Sequence, residues 1–152
     1  MDAARPVAPS PPLAAVVGFF ESISPQSVER IGELYAPDAV FKDPFNEVTG
    51  VPEIRRIFLH MFEQVRSPRF VVHETIEQGD AAMLTWDFAF AFPAPLSARP
   101  RLIRGCTHLR FDGRGRILLH RDYWDAAEEL YEQLPVLGAG MRWLRRRMSA
   151  PR

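Results

Sequence analysis

The sequence has little cysteine and no excess of either charge. Among 152 residues there is one cysteine, Cys106, which excludes an internal disulfide framework and any metal site built from several cysteines. Basic and acidic residues balance at nineteen each, so no net field attracts nucleic acid or acidic ligands. We therefore expect one domain without a nucleic-acid partner.

Long hydrophobic runs are also missing. No apolar stretch approaches the roughly 20 residues that span a bilayer. The short apolar run at 13–20 follows a Pro- and Ala-rich start, and no small-residue cleavage site comes after it. A signal peptide is therefore not expected, and we predict a cytoplasmic protein.

Patterns typical of metal and phosphate sites do not occur. The four histidines show neither an H-x-H pair nor an H-E-x-x-H run, so no metal site is predicted. There is no Gly-rich phosphate loop, and no Ser-His-Asp arrangement can be read. We expect a protein that needs no cofactor.

The first half of the chain is patterned for helices. Apolar residues at helical spacing predict a first helix over 13–20, and Ser24-Pro25 is a typical helix start. The second helix is predicted to end at Pro37, with Leu34 and Tyr35 on its inner stripe. A third begins at Pro52 and has the clearest 3.6-residue pattern.

The second half alternates with period two, which is typical of strands. Strands are predicted over 70–78, 83–92, 101–112 and 116–124, with a tight turn at Gly79-Asp80. Three helices followed by an antiparallel meander indicate an α+β fold with helices on one face of a sheet. We divide the chain into a tail at 1–12, a domain at 13–125 and a helical extension at 126–152.

The stretch 34–50 joins these halves and contains the first candidate site residue. A short strand is predicted over 39–42, and turn residues follow over 46–50. Asp43 ends the apolar run directly before Pro44, where a carboxylate can face an apolar cavity and serve as an acid/base group. In the alternative interpretation, Asp43 only caps a turn.

The order and spacing of these segments resemble the nuclear transport factor 2-like superfamily, most closely its SnoaL-like polyketide cyclase and ketosteroid isomerase branch. The matching motifs are YAPDAVFKDP and LLHRDYWD, and the resemblance covers about residues 13–125. It implies a cone in which three helices close over a strongly curved, mostly antiparallel sheet, with a pocket between them. It also implies a homodimer.

The resemblance carries over to individual residues. Asp43 matches the general base of ketosteroid isomerases, and Asp122 is nearest to the acid/base aspartate of SnoaL-like cyclases. Phe20 and Thr107 fall at the two oxyanion donors of the isomerases. Phe20 cannot donate and Thr107 is a far weaker acid, so standard steroid isomerisation is not expected.

Alternation along the last strand predicts which of its side chains face the pocket. If Leu118 points inward, then His120, Asp122 and Trp124 also do. We predict Asp43, His120 and Asp122 as catalytic groups in an aromatic cavity that would raise carboxylate pKa values by desolvation. The predicted pocket lining is Phe20, Tyr35, Phe41, Phe58, Phe62, Trp86, Phe88, Phe90, Thr107 and Trp124. In the alternative, His120 and Asp122 form a structural pair, closed by Arg104 or Arg121.

Two functions remain open from the sequence. The first is an acid/base enzyme of isomerase, cyclase or hydratase/dehydratase type acting on a small apolar carbonyl compound. The second is a non-catalytic ligand-binding or dimerisation module of the same fold. The Arg-rich C-terminal helix is predicted to pack on the domain or a second subunit, with contact to an anionic membrane surface as the alternative.

Overall fold

The computed structural model describes residues 8–94 and 99–129, and it confirms the predicted α+β class. A six-stranded open sheet packs against helices on one face. The helices are α1 (Pro11–Glu21), α2 (Pro25–Glu29), α3 (Val51–Gln64) and α4 (Ala126–Glu129). The strands are β1 (Tyr35–Lys42), β2 (Glu47–Thr49), β3 (Arg66–Gln78), β4 (Ala81–Ala91), β5 (Arg101–Phe111) and β6 (Ile117–Trp124).

The sheet has the strand order β2-β1-β6-β5-β4-β3. β1 runs parallel to β6, and the other neighbouring pairs are antiparallel. The predicted turn between β3 and β4 has Gly79 at φ 61°, which glycine adopts without steric cost. The sheet is therefore mostly antiparallel, as predicted.

Local sequence signals fix the helix starts. The Ser10 hydroxyl accepts from the Leu13 N–H at 3.4 Å, so α1 begins at Pro11, two residues before the predicted domain boundary. Ser24 and Ser27 form a reciprocal capping box around Pro25, which satisfies N–H groups that the first turn leaves free. α3 places Ile54 and Phe58 against the sheet.

The predicted second helix was too long. α2 stops at Glu29, a 3-10 turn covers Ile31–Glu33, and Tyr35 is the first residue of β1. A proline ring disfavours the helical conformation in the residue that precedes it, so the backbone becomes extended before Pro37. The Ile117 N–H donates to the Leu34 carbonyl at 2.9 Å and joins this segment to β6.

Two details of the strands also differ from the prediction. Glu47–Thr49, predicted as turn, forms β2 and pairs with the end of β1. Leu118 was predicted to point inward but is 38% exposed. Arg110 pairs with Leu119 while Phe111 pairs with Ile117, so Leu118 is the extra residue of a β-bulge.

Little of the predicted C-terminal helix can be compared. Asp125 accepts from the Glu128 N–H at 3.0 Å and so caps the start of α4. Most of the predicted extension, residues 130–152, lies outside the described residues. The same is true of residues 1–7 of the tail predicted at 1–12. Within the described ranges, no helix is long and apolar enough to cross a membrane.

Candidate functional site

A continuous hydrogen-bonded chain of five side chains runs through the inner face of the sheet. The Trp86 Nε1–H donates to Thr107 Oγ1 at 2.8 Å, and the Thr107 hydroxyl donates to Asp122 Oδ1 at 2.5 Å. His120 Nε2 lies 2.8 Å from the same Oδ1 atom. At the far end, the Tyr35 hydroxyl lies 2.6 Å from His120 Nδ1. We call Trp86, Thr107, Asp122, His120 and Tyr35 the polar chain.

The strand register brings these residues together. His120 and Asp122 occupy alternate positions of β6 and so share a face. Thr107 on β5 pairs with Asp122. His120 and Asp122 therefore both face the inner side of the sheet, as predicted. The bulge at Leu118 does not alter this, because it comes before both residues in β6.

A glycine allows the tryptophan to reach across a strand. Trp86 on β4 pairs with Gly105 on β5, and a Cβ atom at Gly105 would lie 2.5 Å from the Trp86 ring. The absent side chain leaves room for the indole over β5, where its N–H meets Thr107. The sequence analysis missed Gly105, since nothing marks a strand glycine as a packing requirement.

The histidine lies inside an aromatic shell. His120 is 4% exposed, and its ring contacts Phe20 from α1, Phe58 from α3 and Phe41 from β1. A buried polar side chain is costly unless it is hydrogen-bonded. Both ring nitrogens of His120 have partners, so this requirement is met.

Asp122 lies between the interior and the surface. Its side chain is 17% exposed, and it lines both an inner cavity and an open cleft. Oδ1 accepts from Thr107 and His120, whereas no described residue donates to Oδ2. Oδ2 is also not among the fully buried atoms without partners. One carboxylate oxygen is therefore held in place while the other can accept a proton.

The inner cavity is too small for a ligand in this conformation. Its volume is about 30 Å³, room for about one water molecule, because phenylalanine rings fill the space between helices and sheet. The lining residues are Val16, Phe20, Phe58, Phe70, Val72, Leu84, Trp86, Thr107, His120 and Asp122.

The residues predicted to line the pocket lie in three different places. Phe20, Phe58, Trp86 and Thr107 line the cavity. Tyr35, Phe41 and Phe90 are buried in the core, and Phe62 and Phe88 pack against it. Trp124 lies at the open cleft, with its ring 5.5 Å from that of Phe45. The sequence analysis did not include four other lining residues, which are Val16, Phe70, Val72 and Leu84.

Asp43 lies at the corner between β1 and β2, away from the inner cavity. Its Oδ1 atom accepts from the N–H groups of Phe45 at 2.7 Å and Asn46 at 2.6 Å. The Asn46 side-chain amide lies 3.0 Å from each carboxylate oxygen. This is the turn-capping geometry of the alternative interpretation. The structure does not bring Asp43 to His120.

The open cleft nevertheless brings Asp43 and Asp122 to the same surface. Its volume is about 510 Å³, within the range of small-molecule sites. The lining residues are Lys42, Asp43, Pro44, Arg121, Asp122, Tyr123, Trp124 and Asp125. Lys42 pairs with Glu47 at 2.5 Å, and this hydrogen bond, with the charge of Lys42, lowers the pKa of Glu47. Arg121 lies 4.7 Å above the Tyr123 ring centre.

The polar chain shifts the ionisation of its tyrosine. Tyr35 is fully buried, and this burial, followed by the negative charge of Asp122, raises the pKa of Tyr35 well above its ordinary value. Tyr35 therefore stays a neutral hydroxyl. Within the described ranges, no cluster of three or more His, Cys, Asp or Glu side chains is placed to hold a metal ion.

The family is set by a sequence profile. The SnoaL-like domain profile matches residues 16–120, which include α2, α3 and His120. The chain belongs to the SnoaL-like family. This confirms the predicted resemblance. None of the curated proteins matches the chain in sequence.

Solved structures confirm the nuclear transport factor 2-like fold. A putative SnoaL-like polyketide cyclase from Shewanella putrefaciens has a TM-score of 0.70 at 18% identity, covering 85% of this chain and 99% of its own. An epoxide hydrolase from M. tuberculosis, described as LEH-like, has a TM-score of 0.65 at 19% identity and covers 93% and 95%. A protein of this fold from Burkholderia pseudomallei, of unknown function, scores 0.68 at 19% identity with 78% and 94% covered. At these identities the similarity establishes the fold alone.

Proposed function

We propose that this SnoaL-like protein is an acid/base enzyme for a small, largely apolar compound, with Asp122 as the residue that takes up and returns the proton. The observation that carries the proposal is the asymmetry of the Asp122 carboxylate. Oδ1 is held by Thr107 and His120 at 2.5 and 2.8 Å, while Oδ2 has no donor among the described residues. A base needs a fixed position and one free lone pair, and this arrangement provides both.

We place the ligand in the open cleft. The cleft has about 510 Å³ against about 30 Å³ for the inner cavity, and Asp122 is reached from both. Pro44, Tyr123 and Trp124 offer apolar surface to the ligand. The inner cavity on the other side of Asp122 has room for a water molecule, which a hydration would need.

The reaction class follows from what a lone carboxylate can do. It can move a proton in an isomerisation, a cyclisation, a hydration or a dehydration. The names of two structural relatives, a putative polyketide cyclase and an epoxide hydrolase, fall in this range. The route of ketosteroid isomerases gains no support, since the Phe20 side chain has no hydrogen-bond donor and the Thr107 hydroxyl donates to Asp122.

The test measures proton transfer without knowledge of the product. A panel of enolisable ketones is incubated with the protein in D₂O, and deuterium uptake next to the carbonyl is followed by NMR; a parallel panel of epoxides is assayed for diol. Asp122→Asn should lower the rate of any reaction found by about 10²-fold or more. Asp87→Asn is the matched control, since Asp87 pairs with His73, 3.1 Å away, on the outer face. Equal rates for the two variants would refute the proposal.

The same assay decides the prediction for Asp43. If Asp43 acts on the substrate, Asp43→Asn should lose as much rate as Asp122→Asn. If it only holds the turn at the rim of the cleft, thermal stability should fall while the rate stays within a few-fold of wild type.

A second candidate function is a binding module without chemistry. It is favoured by the small volume of the inner cavity, about 30 Å³, and by the turn-capping contacts of Asp43. In that case, a thermal-shift screen should find ligands that Asp122→Asn binds as well as wild type, and no compound in either panel should react.

We further propose that two copies pair through the outer face of the sheet. Ile76, Met83 and Tyr123 line an apolar depression there and are 69%, 38% and 43% exposed. Glu74 lies on one side of it and Arg121 on the other, so a two-fold axis would bring opposite charges together. Light scattering after gel filtration should give a dimer for wild type and a monomer for Ile76→Glu; a wild-type monomer would exclude this interface.

A further inference from the structure

The charge of His120 depends on one hydrogen bond. Nε2 lies 2.8 Å from Asp122 Oδ1, and a carboxylate only accepts, so Nε2 carries a proton. Nδ1 lies 2.6 Å from the Tyr35 hydroxyl. If Tyr35 donates to Nδ1, the imidazole is neutral; if Tyr35 accepts, the imidazole is a cation.

The surroundings of Tyr35 decide between these two states. Tyr35 is fully buried, and within the described ranges its hydroxyl forms a hydrogen bond with His120 alone. If it accepted from Nδ1–H, its own proton would be buried without an acceptor, which is costly. Burial, and then Asp122, raise the pKa of Tyr35 well above its ordinary value, so the hydroxyl retains the proton that it donates.

We propose that Tyr35 is a positioning residue that holds His120 as the neutral Nε2–H imidazole, so that Asp122 meets the ligand without a cation beside it. A hydrogen bond donated to the neutral form of a base disfavours its protonated form. The inference rests on the proposed function, since its purpose is to keep Asp122 a stronger base than it would be beside an imidazolium.

The other groups around His120 do not supply a competing charge. α1 and α3 present Phe20 and Phe58, and β1 presents Phe41. Of the side chains that hydrogen-bond to His120, Asp122 on β6 is charged and favours the cation, whereas Tyr35 opposes it. The balance therefore depends on the Tyr35 hydroxyl.

The test measures the protonation of the two imidazole nitrogens directly by NMR. In protein labelled with ¹⁵N-histidine, the ring nitrogens of His120 and His73 are followed between about pH 5 and 8, around the ordinary histidine range. His73 is an internal control, since its Nε2 pairs with Asp87 at 3.1 Å and the side chain is 49% exposed. The assignment predicts that, near neutral pH, the Nε2 atom of His120 carries a proton while its Nδ1 atom is bare.

A matched pair of variants isolates the hydroxyl. Tyr35→Phe should let His120 take up its second proton about one pH unit higher than wild type, which is about tenfold in proton affinity. Thr85→Val removes an exposed hydroxyl, which accepts from the Glu74 N–H at 3.2 Å, and should leave the titration of His120 unchanged. An unchanged titration in Tyr35→Phe would overturn the inference.

The outcomes also separate this inference from the proposed function. If Tyr35→Phe does not fold, the wild-type spectrum decides, because a proton on Nδ1 of His120 near neutral pH contradicts the assignment. The two tests can also give different results. If His120 is neutral in wild type and its titration changes in Tyr35→Phe, the role of Tyr35 is supported. If Asp122→Asn then reacts as fast as Asp87→Asn, the proposed function is wrong although the role of Tyr35 is not.

Discussion

Replacing Thr107 by valine tests the middle of the polar chain. Valine has nearly the same shape as threonine but lacks the hydroxyl that accepts from Trp86 at 2.8 Å and donates to Asp122 at 2.5 Å. Thr107 is 4% exposed, so water cannot easily replace these contacts. The variant therefore removes two hydrogen bonds with little change in packing.

The expected loss follows from the two partners. A hydrogen bond to a charged group contributes about 1.5–3 kcal/mol, and a buried donor left without an acceptor costs about 1–3 kcal/mol. We expect the free energy of unfolding to fall by about 3 kcal/mol, a large part of the roughly 5–15 kcal/mol of a typical domain.

Urea unfolding measures this loss. With a slope of about 2 kcal/mol per molar urea, the midpoint for Thr107→Val should fall by about 1.5 M without a change of slope. Thr85→Val is the matched control, since its hydroxyl accepts from the Glu74 N–H at 3.2 Å in an exposed position; its loss should be below about 1 kcal/mol. Equal midpoints for the two variants would refute the described hydrogen bonding.

Three further predictions follow from the same contacts. Gly105→Ala places a Cβ atom 2.5 Å from the Trp86 ring and should destabilise the fold by about 1–3 kcal/mol, whereas Gly18→Ala, with open space around it, should be neutral or stabilising when both are measured by thermal unfolding. Because the pKa of Tyr35 is raised in the folded protein, the unfolded chain holds fewer protons above about pH 10, so the free energy of unfolding should fall with rising pH by up to about 1.4 kcal/mol per unit. Tyr35→Phe should lack this part of the pH dependence. If the free energy of unfolding falls with pH equally steeply in both proteins, the prediction is wrong. Among variants of the polar chain, Asp122→Asn should leave Trp86 fluorescence native-like, since Thr107 still accepts from the indole; a red-shifted spectrum would contradict this.

The parts of the fold that the sequence predicted are those with strong local signals. Serine and proline at 24 and 25 fix the start of α2, and glycine at 79 fixes the turn after β3. The 3.6-residue pattern of α3 was correct because one side of that helix is buried by the sheet. These signals act within a few residues of each other, so they can be read without the tertiary structure.

The missed features depend on contacts between distant segments. Tyr35 belongs to a strand because β6 pairs with it, and the bulge at Leu118 arises from the register of β5 against β6. Alternation correctly gave the face of His120 and Asp122. It cannot tell whether phenylalanine rings line an empty pocket or fill it, and here they leave about 30 Å³.

The candidate site shows the same division. The resemblance led to Asp43 and Asp122, and alternation along the last strand added His120. The structure joins His120 and Asp122 at 2.8 Å, while Asp43 caps its own turn. Thr107 and Tyr35 were predicted as lining residues. Their hydroxyls instead orient the carboxylate and the imidazole, which depends on distances of 2.5 and 2.6 Å that no sequence pattern encodes.

The most direct test of the account compares catalysis and binding in a single variant. For the most reactive compound of the ketone and epoxide panels, kcat and the Kd of the compound are measured for wild type, Asp122→Asn and Asp87→Asn. The account predicts that Asp122→Asn loses about 10²-fold or more in kcat, while its Kd stays within a few-fold of wild type and Asp87→Asn loses neither. A kcat for Asp122→Asn within a few-fold of wild type would contradict the central claim that Asp122 transfers the proton.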